Sequence, residues 1–212
     1  MSTPIKTLIS LPRSGQIVIY LALEYYHHLM NLPYSYCEYY TCCNSYPCTK
    51  SSTAYHKTHD FMLDFEITPH DKYVFLYRDN ILQQIEANFR LHCMMKNQID
   101  NTNIKFDYTN EEIVNEFKNF IITYSKYYAK MYEKYIHQNK SNILKIEYEY
   151  HISNFNECFK TILMFFNIEI NEDFIEQTRL YVKPVSTHKI DITDPYYNEL
   201  YDFVQSQFCL HK

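Results

Sequence analysis

Apolar positions fall first as a continuous run and then at helical spacing. Ile5–Leu11 is short, apolar and stopped by Pro12, which predicts a strand. Ile17, Leu21, Tyr25 and Leu29 then recur four apart, with Val18 and Ala22 beside them, predicting a helix over Gln16–Met30. "YVFLY", Tyr73–Tyr77, is apolar on both faces, as a strand covered by helices would be, and Asn80–Met95 reads as the helix after it. Asn97–Thr109 is polar and reads as a loop. Ile113, Phe117, Phe120, Tyr124, Tyr127 and Met131 then alternate steps of three and four, a long amphipathic helix from Asn110 to about His137. "NILKIEY", Asn142–Tyr148, is a third strand. Ser153 or Asn154 is placed to cap a helix carrying Phe159, Ile162, Leu163 and Phe166. Helices over 171–181 and from Asp194 onward complete the pattern.

Strand-like and helix-like segments in alternation imply an α/β protein, three-layered, with a mostly parallel central sheet flanked by helices. The 212 residues hold no internal repeat, low-complexity segment or linker, so one compact domain spanning 1–212 is expected. An apolar fraction of 46% with 21% charged residues fits a soluble globular chain. The formal charge of -5 offers no global attraction to nucleic acid or an anionic membrane, so any anion site must be built locally. No signal-like segment and no apolar run of spanning length is present, and a cytoplasmic location is expected. Of the seven cysteines, four crowd into "CEYYTCCNSYPC" as Cys37, Cys42, Cys43 and Cys48. Structural zinc sites favour pairs two to four residues apart, which this spacing does not supply. No metal is expected. The thiols read as buried or as a local disulfide, against which a reducing cytosol argues.

The chain contains one glycine, Gly15, in "SLPRSGQIVIYLAL". A strand that turns tightly into a helix presents unpartnered amides and the positive end of the helix dipole to an anion. Such a turn needs a residue able to take positive φ, which Gly15 supplies, and Arg13 adds a fixed charge with a fork suited to phosphate or sulfate. A plain strand-to-helix turn with a surface arginine is the alternative reading. The loop is not a Walker A: the first glycine and the lysine are absent, and Gln16 stands where a magnesium-holding Ser/Thr would be needed.

"SLPRSGQ" resembles the 5′-phosphosulfate loop of the sulfotransferases, [YF]-P-[KR]-S-G-T, in the four residues Pro12-Arg13-Ser14-Gly15. Further landmarks follow in the family's order. "HKTHDF", His56–Phe61, is similar to the Lys-Thr-His segment bearing the catalytic base. "KYVFLYRDNILQQIEANFR", Lys72–Arg90, resembles the strand-loop-helix that binds the 3′-phosphate. "ILKIEYEYHISNFNECFKTILMFFNIEI" is similar to the L-x-Y-E-D-L stretch and its helix. Together these span roughly residues 8 to 170. The departures are Gln16 for threonine, Asn80 for proline, Glu86 for serine, and no glycine in the C-terminal Arg-Lys-Gly segment, where Lys183 and Lys189 are the nearby cations.

The resemblance implies a P-loop-NTPase-like sulfotransferase fold. It further implies 3′-phosphoadenosine 5′-phosphosulfate (PAPS) as co-substrate, an acceptor hydroxyl on a small molecule, lipid or glycan, and in-line sulfuryl transfer without a metal. His59 would be the base, with His56 as fallback, and Arg13 would stabilise charge on the leaving phosphate. Donor binding would fall to Arg13, Ser14, Gly15, Gln16 and Ile17 at the loop, Arg78 at the carboxyl end of its strand, and Glu86 and Lys189 at the family's 3′-phosphate positions. Glu149 matches the family's Tyr-Glu position. Two other readings stay open: a P-loop-like nucleotide or small-molecule kinase, which would need a loop lysine and magnesium ligands, and a non-catalytic nucleotide-binding relative, suggested by Glu86 and the missing glycine.

Overall fold

A computed structural model describes residues 4–43, 45–46, 48–49, 55–97, 109–184 and 195–209. It is α/β and built on a five-stranded sheet flanked by helices. The strands are β1 (Lys6–Ser10), β2 (Tyr36–Glu38), β3 (Tyr55–Thr58), β4 (Lys72–Tyr77) and β5 (Ile143–Glu147), in the order β2-β3-β1-β4-β5. Every ladder is parallel, with Ile9 opposite Thr58 on one side and Phe75 on the other. Parallel neighbours cannot be joined by hairpins, so each return passes through a crossover, and the carboxyl ends of all strands share one edge. β1 and β4 match the predicted runs. β2 and β3 went unpredicted: the first is three residues long, and the second, "YHKT", carries too few apolar positions to register as a strand.

The chain divides into two compact units, Met1–Asp79 with Tyr135–Ser186, and Asn80–Lys134 with Thr187–Lys212. The first holds the sheet, α1 (Gln16–Leu29), the short α2 (Tyr39–Cys42) and α5 (Tyr148–Ser153), and α6 (Phe155–Phe165) and α7 (Glu172–Val182). One side of its core joins Leu8, Tyr55, Val74, Leu76 and Ile146 of the sheet to Ile19, Leu23 and Tyr26 of α1 and Phe159, Ile162 and Leu163 of α6. Elsewhere in the unit, Phe75 stacks on Tyr135 with centroids 4.9 Å apart, and Phe65 packs edge-on to Tyr73. Each such buried side chain contributes about 1.5–3 kcal/mol.

α1 forms where the spacing predicts a helix. Its buried residues are Gln16, Ile19, Ala22, Leu23, Tyr26 and His27, whereas Ile17, the first of the row spaced four apart, is 60% exposed. A helix opening "QIVIYLAL" is apolar nearly all round, so spacing alone cannot choose its inward side. Tyr25 instead stacks flat on Tyr181 of α7, centroids 4.1 Å apart. Asn154 stands at the N-cap of α6 but its side chain makes no cap bond; it donates to the Tyr150 carbonyl.

The second unit is helical: α3 (Ile81–Asn97), α4 (Glu111–Tyr132) and α8 (Pro195–Cys209). The Asn110 side chain caps α4 by accepting from the amides of Glu112 and Ile113, and the helix passes through a π-helical turn over Glu133–His137. Phe89 of α3 stacks on Phe117 of α4, and Phe117, Phe120 and Met131 of the predicted row are buried. Among the described residues no helix is long and apolar enough to cross a membrane. Lys189 and most of the predicted loop 97–109 lie outside the described residues.

Candidate active site

The candidate residues gather on the carboxyl edge of the sheet, where open α/β sheets bind ligands. β1 ends at Ser10, and the chain turns through Leu11–Ser14, with the Ser14 amide bonded to the Leu11 carbonyl at 3.2 Å. Gly15 is the N-cap of α1 at φ 73, and Arg13 also takes positive φ, at 66. A non-glycine residue there costs on the order of 1–3 kcal/mol and persists only where its surroundings hold it. Ser14 is buried and Arg13 exposed. The helix start leaves its first amides without intrahelical acceptors, a site for an anion.

Gly15 is required on two counts. Its φ lies in the left-handed region, and a Cβ there would sit 2.5 Å from Cδ2 of Tyr148 and closer still to Cε2. The Tyr148 ring lies over the loop as the first residue after β5. The Arg78 guanidinium, from the end of β4, sits over the same ring, 4.2 Å from its centroid. Arg78 is 5% exposed, and its Nε lies 3.9 Å from Oε1 of Glu149. Burial pushes the Tyr148 phenol up from its ordinary range; Arg78 pulls it down, Glu149 adds to the rise, and Arg13 also pulls it down. Two cations, one from the β1 loop and one from β4, thus act on a single phenol.

Gln16 has a different task from its neighbours. Its buried side-chain amide donates to the Leu8 carbonyl at 2.8 Å and the Thr58 carbonyl at 3.3 Å, tying the start of α1 to β1 and β3. Its Nε2 is thereby spent inside the fold, while its buried Oε1 has no hydrogen-bond partner.

His59 follows β3 directly. Its Nδ1 is 2.9 Å from the Ser10 carbonyl oxygen and 3.2 Å from Ser10 Oγ. A carbonyl only accepts, so Nδ1 carries the proton and Nε2 is the unprotonated nitrogen of the neutral ring. Burial lowers the His59 pKa below its ordinary value, the Ser10 bond works against that, Lys57 adds to it, and Glu38 opposes it. Asp60 next door is fully buried at φ 46. Its carboxylate accepts from the Phe65 amide at 2.9 Å and the Tyr135 hydroxyl at 2.7 Å, holding the turn that carries His59. His56 is inside the sheet, 1% exposed, and burial pushes it down to about 4; it is an interior residue.

The structure therefore joins Ser14, Gly15, Gln16, His59, Arg78 and Glu149 through Tyr148, Ser10 and Thr58. Arg13 belongs to the same loop, and Ile17 is exposed in the first turn of α1. Glu86 lies in α3, in the second unit, buried and paired with Arg90 at 2.6 Å. Sequence reasoning missed Tyr148, Ser10 and Asp60. Tyr148 carries one usable signal, its position immediately after an apolar strand; Ser10 acts through its carbonyl, which no residue type reveals.

No family model matches the chain, and no curated protein matches it in sequence. Solved structures do match in fold. The crystal structure of mouse sulfotransferase SULT7A1 complexed with PAP aligns at TM-score 0.60 and 13% identity, over 100% of this chain and 86% of that one. Retinol dehydratase in complex with androsterone and the inactive cofactor PAP aligns at TM-score 0.62 and 13% identity, over 100% and 81%. Retinol dehydratase in a complex with retinol and PAP aligns at 0.59 and 12%, over 98% and 82%. The chain has the sulfotransferase fold.

Proposed function

We propose that the protein is a sulfotransferase, moving a sulfuryl group from PAPS to the hydroxyl of a small-molecule acceptor. The observation that carries this reading is the β1–α1 loop. It places a left-handed glycine and an arginine at a helix start, without a Walker lysine, on a sheet edge that also presents a histidine held as the Nδ1–H tautomer. The fold match adds to it, since the aligned structures hold PAP, and two hold androsterone or retinol.

The residues fit such a donor. With no side chain at Gly15 the Tyr148 ring closes on the loop, and the first amides of α1 are the groups this helix start would offer an anion. The amides of Gly15, Gln16 and Ile17, with Arg13 and Ser14, would hold the 5′-phosphosulfate, and Arg78 would supply further positive charge. PAPS provides the sulfuryl group and a phosphate leaving group. The acceptor oxygen forms the new bond to sulfur as the bond to the phosphate oxygen breaks, and the acceptor proton passes to Nε2 of His59. Arg13 stays protonated and stabilises the leaving charge without donating a proton. Glu86, with its charge matched by Arg90, is given no part in donor binding.

Thermal unfolding with adenosine 3′,5′-bisphosphate (PAP), compared with ATP plus magnesium, tests the donor. PAP at 100 times its Kd should add about 2.7 kcal/mol. Stabilisation by ATP–magnesium alone would overturn the reading. Sulfate transfer from labelled PAPS to a panel of hydroxyl acceptors tests the reaction. His59→Ala should keep PAP stabilisation and lose transfer by about 10²–10⁴-fold, and an unchanged rate would remove His59 as base.

A further inference from the structure

We propose that Cys37, Cys42, Cys43 and Cys48 form a structural zinc site in the β2–β3 crossover. Their four sulfurs all lie within 4.8 Å of one another. Cys43 Sγ stands 3.4 Å from both Cys37 Sγ and Cys48 Sγ, and none of the four is disulfide-bonded. A tetrahedral site with Zn–S bonds of about 2.3 Å has S···S edges of about 3.8 Å. The observed separations bracket that edge, so small side-chain adjustments would centre an ion.

The fold achieves what the spacing conceals. Cys37 is the middle residue of β2, and Cys42 ends α2, a single helical turn that folds the chain back on the strand. Cys43 leaves the helix at φ -150, and Cys48 lies further along the same crossover, ahead of β3. Zinc-type pairs read along the sequence assume one short knuckle; here a strand and a helical turn supply the ligands instead.

Hydrophobic packing does not account for the cluster. Cys93 and Cys158 are each buried, as apolar thiols usually are. Of the four clustered sulfur residues only Cys37 is buried, and the other three are half-buried. Four soft donors converging without a carboxylate or imidazole select zinc over the hard cations. Because all four positions of the tetrahedron are filled by protein, the ion would hold structure and leave the sulfuryl chemistry to other residues. Its place gives it work: β2 is a three-residue edge strand pairing only with β3, which delivers His59.

The test uses the full chain, purified anaerobically with reductant and zinc in the medium. Elemental analysis should find one zinc per chain. Cobalt(II) added to the metal-free chain should give one equivalent of a tetrahedral thiolate spectrum, displaced by zinc. Cys43→Ser should lose it and Cys93→Ala should keep it. A reduced, folded chain that binds cobalt without the tetrahedral thiolate bands would overturn the proposal. So would recovery of two of the four cysteines as a disulfide from the freshly purified protein. Because cobalt is read on the unsubstituted chain, a Cys43 variant that fails to fold does not remove the test.

Discussion

At the scale of single residues, the site rests on groups that do unexpected jobs. The lone glycine satisfies both a left-handed backbone and the Tyr148 ring above it. Gly15→Ala should therefore cost about 1–2 kcal/mol from the backbone alone, plus whatever displacement of Tyr148 adds. Urea unfolding with and without PAP checks this; a variant as stable as the parent that binds PAP equally well would show that the cradle is not needed. Gln16, which breaks the family's loop pattern, proves to be a brace between β1 and β3. That role could not be read from the sequence, because its partners are two backbone carbonyls brought close only by folding. Arg13 and Gly15 stand out in the sequence by charge and conformational freedom and Arg78 by its place after an apolar strand, whereas His59 is singled out only by the resemblance of its segment. The tautomer of His59 was not, because it is set by the Ser10 carbonyl.

At the scale of elements, legibility followed the contrast between faces. β4, buried on both sides, and α4, with a cleanly divided surface, stand out in the sequence. α1 was found with nearly its true limits, but its inward side was not legible, since Val18, Tyr20 and Leu21 are as apolar as the residues that face the core. β2 and β3 escaped notice because a parallel strand borrows its stability from neighbours. β3 buries Tyr55, His56 and Thr58, of which only the first is an obvious core residue. The cysteine cluster escaped for the same reason: its ligands come from a strand, a helical turn and a return segment, and their convergence is a property of tertiary structure.

At the scale of the molecule, burial of neutral histidines ties stability to pH. His56 and His151 are both buried, and burial pushes each down to about 4. His151 packs against the Phe155 ring with neither ring nitrogen hydrogen-bonded. The unfolded chain, with ordinary imidazoles near 6.5, takes up protons before the folded chain does. Their stabilisation is therefore complete above about pH 6.5 and is lost as pH falls toward about 4, on the order of 3 kcal/mol per histidine. Urea unfolding at pH 7 and pH 5 should show the loss, and His151→Phe should roughly halve it; equal stability at the two pH values would refute it. The parallel sheet has a kinetic consequence as well. The strands that supply the site run from Lys6 to Glu147, with β1 between partners that arrive later in the chain. Non-local pairing of this kind folds slowly, after local helices have formed. On dilution from denaturant, helical circular dichroism should return first and PAP binding only once β5 has docked. Simultaneous recovery of both signals would argue against this order. For a chain emerging from the ribosome, donor binding would then begin only after most of its length has been made.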